Sequence, residues 1–285
     1  MYALTGASGH LGRLVIQNLL EKVPANTILA TTRSPEKLAD LAEKGVVVRH
    51  ADLNDPASLP AAFEGATRLL IISTDSFDNR ADQHRAAVAG AVQAGVKHLV
   101  YTSAPAADAN SFNILLRTHG ETEEALKASG IPFTALRNNI YNNELAGTLG
   151  LLSGEGKIYT LEGDGKPIWL SREDCARIAT AALLDENIVT GIVDVTGPEP
   201  LGIPELAARL SQIQGKEIPV QVLTDEEMIA HLGTKGFTPE AAGGFLGILK
   251  WFARGDFSQV SDVVEKYTGV KPGPVDPVLA AIPVA

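Results

Sequence analysis

The sequence has little that would support disulfide, metal or nucleic-acid chemistry. Cys175 is the single cysteine, so an intrachain disulfide is excluded. His50, His84, His98 and His231 are dispersed, and no spacing groups them with carboxylates, so we predict no metal site. The net charge is −10, which leaves no basic excess to neutralise phosphates. A nucleic-acid partner is therefore not expected.

Long apolar runs and aromatic residues are also scarce. No stretch of about 18 consecutive apolar residues occurs, so we expect no helix that spans a membrane. Met1 leads directly into an apolar segment without the charged start of a signal peptide, and we expect a cytoplasmic protein. Aromatic residues make up 5% of the chain against 45% for all apolar residues, which predicts an aliphatic core. A homodimer is predicted from the frequency of dimers alone.

The first 140 residues alternate strand-like and helix-like patterns. The run Leu69-Leu70-Ile71-Ile72 is typical of a parallel strand that is covered on both faces. Strands separated by helices indicate βαβ units. The helix after the fifth strand is predicted from Glu121 to Ala128, and the last helix of the chain from Phe257 to Tyr267. We predict an α/β fold, a Rossmann-type parallel sheet flanked by helices with a smaller C-terminal α/β substrate lobe. Residues 1–140 are assigned to the domain that contains the sheet and 141–285 to a lobe that packs on it, some elements of which return to the sheet.

The strongest motif is a glycine-rich loop between an apolar strand and an amphipathic helix. Its sequence is Gly6-Ala7-Ser8-Gly9-His10-Leu11-Gly12. Gly6 permits the tight turn, Gly9 lets the backbone approach a pyrophosphate, and Gly12 lets helix and strand pack closely. The helix N-terminus adds free N–H groups and a partial positive charge. The loop therefore predicts a dinucleotide site.

The end of the second predicted strand indicates which dinucleotide is bound. A carboxylate there would hydrogen-bond the ribose 2′-hydroxyl of NAD, whereas an arginine accommodates the 2′-phosphate of NADP. The segment is Ala30-Thr31-Thr32-Arg33-Ser34, with no acid before Glu36. Arg33 can form a paired, charge-assisted contact with a phosphate. We predict NADP(H) as the cofactor; the alternative is that Arg33 is only a solvated charge.

Further polar residues follow the predicted third, fourth and fifth strands, at the edge where open α/β sheets bind ligands. Each of them could instead merely cap a helix, and Phe77 could cover the nicotinamide or cap the core. The predicted cofactor-binding set comprises Gly6, Ser8, Gly9, His10, Leu11, Gly12, Arg33, Asp52, Leu53, Ser73, Thr74, Phe77, Thr102 and Ser103.

Eight segments of the sequence together carry a further signal. In chain order they are Thr5 to Gly12, Arg33-Ser34-Pro35, His50-Ala51-Asp52, Gln83-His84, Ala94-Gly95-Val96-Lys97-His98, Tyr101-Thr102-Ser103, His119 to Glu123 and Leu136-Arg137-Asn138. Together they resemble the NmrA-like atypical short-chain dehydrogenases/reductases, and most closely their bacterial group of type 2 NAD(P)H:quinone oxidoreductases and triphenylmethane reductases. The resemblance spans most of the chain and is strongest over the first 140 residues.

The tyrosine–lysine pair of most short-chain reductases is missing. Alignment on Glu123 puts His119 in the lysine position and Leu115 in the tyrosine position, and leucine cannot transfer a proton. His119 is a candidate proton donor or a cofactor-orienting histidine. Tyr141 could stack on a flat substrate or pack as a structural aromatic, and Asn138 could orient a substrate oxygen.

The resemblance implies an NADPH-dependent oxidoreductase that transfers hydride to a quinone or a similar planar conjugated electrophile. Such an acceptor needs little acid assistance, so the protein has mainly to position the reactants and exclude water. Two alternatives remain open. One is a non-enzymatic NADP-binding redox sensor, and the other is a carbonyl, imine or azo reductase of the same family.

Overall fold

The computed structural model describes residues 1–76, 78–163, 165–188, 190–255 and 258–282. The strands are β1 (Tyr2–Leu4), β2 (Ile28–Thr32), β3 (Val47–His50), β4 (Arg68–Ile71), β5 (His98–Ser103), β6 (Phe133–Asn138), β7 (Ile140–Tyr141), β8 (Ser153–Gly154), β9 (Lys157–Thr160), β10 (Trp169–Leu170), β11 (Gly191–Val195) and β12 (Val220–Val222).

Helices alternate with strands in the first half of the chain and make up most of the secondary structure in the second half. They are α1 (His10–Leu20), α2 (Ala39–Ala42), α3 (Leu59–Ala62), α4 (Arg80–Gln93), α5 (Ile114–Ala128), α6 (Leu145–Leu152), α7 (Arg172–Leu184), α8 (Ile203–Gln214), α9 (Asp225–Thr234), α10 (Pro239–Arg254), α11 (Val263–Thr268) and α12 (Asp276–Ala280). Within the described residues, no helix is long and apolar enough to cross a membrane.

The chain forms two compact units. Each unit is composed of several chain segments, and the predicted division at residue 140 stays a prediction. Unit 1 comprises Met1–Asn138, Arg172–Val195 and Val263–Val270, and unit 2 comprises Asn139–Ser171, Thr196–Asp262 and Lys271–Ala285.

Unit 1 contains a seven-stranded sheet in the order β11-β6-β5-β4-β1-β2-β3. All neighbouring strands are parallel. In this order β1 lies between β2 and β4. The connection after β1 runs toward one side of the sheet and the connection after β4 toward the other, and this divergence opens a crevice at the carboxyl ends of the two strands. This arrangement confirms the predicted Rossmann-type fold.

The core of unit 1 is aliphatic. Every residue of β2 and of β5 is buried, as expected for strands with helices on both faces. Helix α1 buries Val15, Ile16 and Leu19, which recur at helical spacing and face the sheet. Complete burial of each such side chain contributes about 1.5–3 kcal/mol. The rigid sheet therefore fixes the loops at its carboxyl edge.

Helix α5 begins earlier than the sequence predicts. The prediction starts it at Glu121, whereas the structure starts it at Ile114. The cap explains the difference, since the Asn113 side chain accepts a hydrogen bond from Leu115 N at 2.9 Å. The added turns bring Leu115 and His119 onto the same helix as Glu123.

Unit 2 contains the helix α10, which the sequence analysis does not predict. Gly243, Gly244 and Gly247 lower its intrinsic helix propensity. Its start is nevertheless encoded, because Thr238 caps it and Pro239 occupies its first position. The predicted last helix begins at Phe257, which lies outside the described residues, and α11 spans Val263–Thr268.

Candidate cofactor and active site

A cavity of about 660 Å³ opens at the carboxyl edge of the unit 1 sheet. Its lining contains most of the predicted cofactor-binding residues. Those that line it are Gly6, Ser8, Gly9, His10, Leu11, Gly12, Arg33, Asp52, Leu53, Ser73 and Thr74.

The glycine loop, residues 6–12, has the geometry that its sequence predicts. Gly6 has φ +62°, a left-handed conformation that strains other residues. A Cβ at Gly12 would lie 2.4 Å from Gly6 O and 2.8 Å from Ala7 Cα. Gly9 caps α1 without a side-chain hydrogen bond, and the first turn carries no acid. Neither a side-chain cap nor an acidic group therefore obstructs the backbone where a pyrophosphate would approach the helix N-terminus.

Thr32 joins the glycine loop to the turn that carries Arg33. Its Oγ1 lies 2.9 Å from Ser8 Oγ and accepts a hydrogen bond from Ser34 N at 3.2 Å. Arg33, between these two residues, is exposed and lines the cavity. Among the described residues its guanidinium makes no hydrogen bond or ion pair. The turn therefore holds a cation with open hydrogen-bonding capacity beside the glycine loop.

The neighbouring Arg13 already has hydrogen-bond partners within the protein. Arg13 Nη1 donates to Asp40 at 3.0 Å, and its Nη2 donates to the backbone oxygen of Lys37. The guanidinium lowers the pKa of the Asp40 carboxyl. Unlike Arg13, Arg33 therefore offers its guanidinium to an added anion at this end of the cavity.

Two threonine hydroxyls fix the loop that follows β4. Thr5 Oγ1 accepts from Ile72 N at 3.0 Å, and Thr102 Oγ1 accepts from Ser73 N at 2.8 Å. Thr102 also donates to Ser73 Oγ at 3.3 Å. The side chains of Thr5, which follows β1, and of Thr102 in β5 thus position the Ser73–Thr74 wall of the cavity from behind.

An amide network fixes the opposite wall. Asn54 Oδ1 accepts from Asn79 Nδ2 at 2.7 Å and from Gln83 Nε2 at 3.0 Å. Asn54 N in turn donates to Asp52 Oδ1 at 2.9 Å. These contacts hold the turn after β3 against the start of α4, so Asp52 and Leu53 have a defined place in the cavity lining.

Three predicted cofactor residues do not line the cavity as described. Thr102 is buried behind it, and Ser103 is buried and donates to Glu123 Oε1 at 2.7 Å. Phe77 lies outside the described residues. Their direct contact with a cofactor stays a prediction.

The predicted catalytic residues fall in both units. His119 lies on α5 in unit 1 and is 4% exposed, and Asn138 ends β6 in the same unit and is also buried. Tyr141 lies in β7 of unit 2, where it pairs with Leu170. The structure brings His119 together with two residues that the sequence analysis does not single out as catalytic, His84 and Tyr101. Leu115 lies in the first turn of α5, one turn before His119.

A buried ion pair supports the end of β6 and the loop after β5. Arg137 Nε donates to Glu123 Oε1 at 2.9 Å, and Arg137 Nη2 donates to Glu123 Oε2 at 2.7 Å. Nη2 also donates to Ala107 O at 2.9 Å. Hydrogen bonding to the carboxylate raises the pKa of the Arg137 guanidinium. The pair therefore holds Ala107, in the loop after β5, against the end of β6.

Several residues that build the cavity have no strong signature in the sequence. Asn54 follows a strand end and could have been found by the rule that predicts Asp52. Gln83 and Asn79 belong to α4 and its approach, and Arg172 begins α7, far along the chain. Only the folded sheet brings these residues to one cavity.

Comparison with known proteins agrees with this geometry. A family model described as NAD(P)H-binding matches residues 6–186. Quinone oxidoreductase 2 of Escherichia coli K12 is 36% identical over 236 residues, which are 83% of this chain and 82% of that protein.

Solved structures extend the similarity to the whole chain. An NADPH-dependent quinone oxidoreductase of Escherichia coli, crystallised with NADPH, aligns with a TM-score of 0.90 and 33% identity over 98% of this chain and 99% of that one. Triphenylmethane reductase of Citrobacter sp., crystallised with NADP(H), aligns with a TM-score of 0.88 and 36% identity over 97% and 98%.

These matches confirm the predicted resemblance. The family model covers more than half of the chain, and its matched range starts in the glycine loop and includes Arg33, β4 and α5. The chain belongs to the NAD(P)H-binding family and is similar within it to bacterial quinone and triphenylmethane dye reductases.

Proposed function

We propose that this protein is an NADPH-dependent oxidoreductase that transfers hydride to a quinone or a similar planar conjugated electrophile. The observation that carries the proposal is the cavity of unit 1, which is lined both by the glycine loop and by Arg33. Within the described residues, the Arg33 guanidinium makes no hydrogen bond or ion pair. The relatives named quinone oxidoreductase and triphenylmethane reductase support the acceptor class.

The cavity residues suit NADPH in separate ways. The glycine loop would hold the pyrophosphate, since its backbone approaches closely and α1 contributes a partial positive charge. Arg33 would pair with the 2′-phosphate, and Asp52 and Leu53 would contact the adenosine. Ser73 and Thr74 would line the path toward the nicotinamide. When bound, NADPH supplies a hydride.

Conjugated acceptors suit the missing tyrosine–lysine pair. Leu115 occupies the position where most short-chain reductases have the acidic tyrosine, and it carries no proton to give. A quinone takes hydride into a conjugated system, and water can protonate the product. The work left to the protein is to orient the reactants and exclude water. Asn138 and Tyr141 are the proposed substrate contacts, and unit 2 is the proposed substrate lobe.

Turnover assays test the proposal directly. The purified protein is mixed with NADPH and, separately, with quinones, triphenylmethane dyes, azo dyes, imines and simple carbonyl compounds, and the nicotinamide absorbance is followed. We expect fast oxidation with quinones or dyes and little with simple carbonyl compounds. Tight NADPH binding without turnover on any acceptor would favour the redox-sensor alternative. Reduction of azo compounds or imines alone would shift the assignment within the family.

Location and assembly are separate proposals. The cytoplasmic location predicted from the sequence is tested by fractionation of the cells that make the protein. The predicted homodimer is tested by light scattering at several protein concentrations. A single molecular mass of one chain at all concentrations would contradict it.

A further inference from the structure

Three buried aromatic side chains meet beneath the loop that follows β4. His84 of α4 and Tyr101 of β5 are fully buried, and His119 of α5 is 4% exposed. Tyr101 Oη lies 2.7 Å from His119 Nδ1 and 3.3 Å from His84 Nδ1. The proposed function assigns no role to His84 or Tyr101.

A backbone donor sets the tautomer of His84. Thr74 N donates to His84 Nε2 at 3.0 Å, so this nitrogen carries no hydrogen and the ring hydrogen is on Nδ1. That hydrogen has acceptors, since Nδ1 lies 2.9 Å from Thr122 Oγ1 as well as near Tyr101 Oη. Thr122 gives its own hydrogen to Thr118 O at 2.8 Å, which leaves its oxygen free to accept.

The tautomer of His119 follows from that of His84. Tyr101 Oη faces two ring nitrogens, and His84 Nδ1 already carries a hydrogen and cannot accept another, so the hydroxyl hydrogen of Tyr101 is assigned to His119 Nδ1 at 2.7 Å. A neutral imidazole that accepts at Nδ1 carries its hydrogen on Nε2. His119 Nε2 makes no hydrogen bond within the described residues, so its N–H has open donor capacity.

The surrounding charges keep the ring of His119 neutral. Burial lowers the pKa of His119 well below its ordinary value, and Arg80 of α4, His84 and Arg137 of β6 lower it further. Glu123 on the same helix is the acid nearby, and its carboxylate is held by Arg137 and Ser103. Burial raises the pKa of Tyr101, so the phenol also stays protonated.

We propose that His84 and Tyr101 are positioning residues that hold His119 as a neutral imidazole whose Nε2–H donates a hydrogen bond to the oxygen of the acceptor. The proposal rests on the proposed function. As hydride from NADPH adds to the acceptor, negative charge develops on that oxygen, and a fixed donor stabilises it. His119 keeps its proton throughout, NADPH is oxidised to NADP⁺, and water protonates the product.

Nitrogen NMR tests the tautomers without any turnover. In protein labelled with ¹⁵N-histidine, we expect His119 to show a protonated Nε2 and an unprotonated Nδ1, and His84 to show the reverse. Neither ring should change between about pH 6 and pH 9. Spectra of His119→Gln and His84→Asn assign the signals. The opposite tautomer of His119, or an imidazolium in this range, would overturn the inference even if quinones are reduced.

Kinetics separate a neutral donor from an acid. Gln places an amide N–H near the position of Nε2, so we expect His119→Gln to stay within about tenfold of the wild-type kcat. His119→Leu should lose about 100-fold, as for removal of one fixed donor to a developing oxyanion. Equal losses in the two variants, or a kcat that falls as pH rises through a histidine pKa, would instead indicate an imidazolium acid.

Tyr101→Phe tests the positioning role. Removal of the hydroxyl should lower kcat about tenfold with an unchanged KM for NADPH, and the NMR spectrum should show His119 as a mixture of tautomers. His98→Gln is the control, because it changes a different buried polar ring of β5, one that bonds Thr134 and not His119. It should change neither kcat nor the tautomer of His119. A single tautomer of His119 in Tyr101→Phe would overturn the positioning role. If no acceptor is reduced by the wild type, the proposed function fails while the NMR result still decides the tautomers.

Discussion

At the scale of single residues, Arg33 is the residue that we propose to select NADPH over NADH. Arg33→Ala removes the open guanidinium beside the glycine loop, so we expect the Kd for NADPH to rise about 10- to 100-fold. The Kd for NADH should change less than twofold, because NADH has no 2′-phosphate. Titration of intrinsic or nicotinamide fluorescence measures both constants.

Arg85→Ala is the control for the loss of an arginine. Arg85 is exposed on α4, paired with Asp82 and Glu121, and does not line the cavity. It should leave both constants unchanged. Equal weakening of NADPH and NADH in Arg33→Ala would rule out the 2′-phosphate contact.

Two adjacent glutamates give a second prediction. Glu123→Gln leaves the half-buried guanidinium of Arg137 without its carboxylate, which costs up to about 3–5 kcal/mol of unfolding free energy. Glu124→Gln removes an exposed pair with Lys127 and should cost less than about 1 kcal/mol. Denaturant unfolding of both variants measures the difference. Similar small losses would show that Arg137 finds another partner.

The residue scale also shows what the sequence could predict. The glycine loop and Arg33 are local motifs, and the structure places both in one cavity. The His84–Tyr101–His119 cluster is not local, because its members come from a helix, a strand and another helix. The sequence marks His119 only through a resemblance, and no spacing rule predicts that the phenol beside it comes from β5.

At the scale of elements, the close approach of α1 to the start of the glycine loop depends on Gly12. In Gly12→Ala the new Cβ would meet backbone atoms of Gly6 and Ala7, which cannot yield as a flexible side chain would. We expect a loss of about 1–3 kcal/mol of unfolding free energy, together with weaker NADPH binding. Thermal unfolding with and without NADPH measures both effects.

Gly244→Ala is the matched control. Gly244 lies in the interior of α10, and a Cβ there would meet nothing within 4 Å. Alanine should stabilise the protein by about 0.5–1 kcal/mol through its higher helix propensity. Destabilisation by both variants would show that the contact at Gly12 is not the cause.

The same contrast explains which elements the sequence predicts. Elements with a clear apolar pattern occur where predicted, as α1 does with its apolar stripe and β4 with its continuous apolar run. Helix α10 is not predicted because its glycines lower the helix propensity of the segment. The helix is stabilised instead by burial of Leu246, Leu249 and Phe252. Helix α5 is predicted too short because its start depends on the Asn113 cap, and because Thr118 and Gly120 lower the helix propensity of its first half.

At the scale of the whole molecule, buried neutral histidines make unfolding sensitive to acid. Burial lowers the pKa of His84 to about 3 and that of His98 to about 4. The unfolded chain takes up these protons below about pH 6.5, whereas the folded protein does not. The unfolding free energy therefore falls as the pH falls from about 6.5 toward the folded values, by about 1.4 kcal/mol per pH unit for each such histidine. Above that window these groups contribute no dependence.

His98→Gln measures the share of one histidine. Glutamine does not titrate, so the loss of unfolding free energy between about pH 6.5 and pH 4.5 should be smaller than in the wild type by about 1.4 kcal/mol per pH unit. His50→Gln removes an exposed histidine at the end of β3 and should leave the slope unchanged. Identical slopes in the wild type and His98→Gln would show that His98 is protonated in the folded protein.

The segment order of unit 1 has a consequence for synthesis on the ribosome. Strand β6 emerges with β1 to β5, but its partner β11 emerges only after the first segment of unit 2, Asn139–Ser171. Until then β6 is an open edge whose backbone groups can pair with another nascent chain. Helix α11 follows later still. A nascent chain is therefore exposed to pairing at this edge until Val195 has been made, and unit 1 is complete only after Val270.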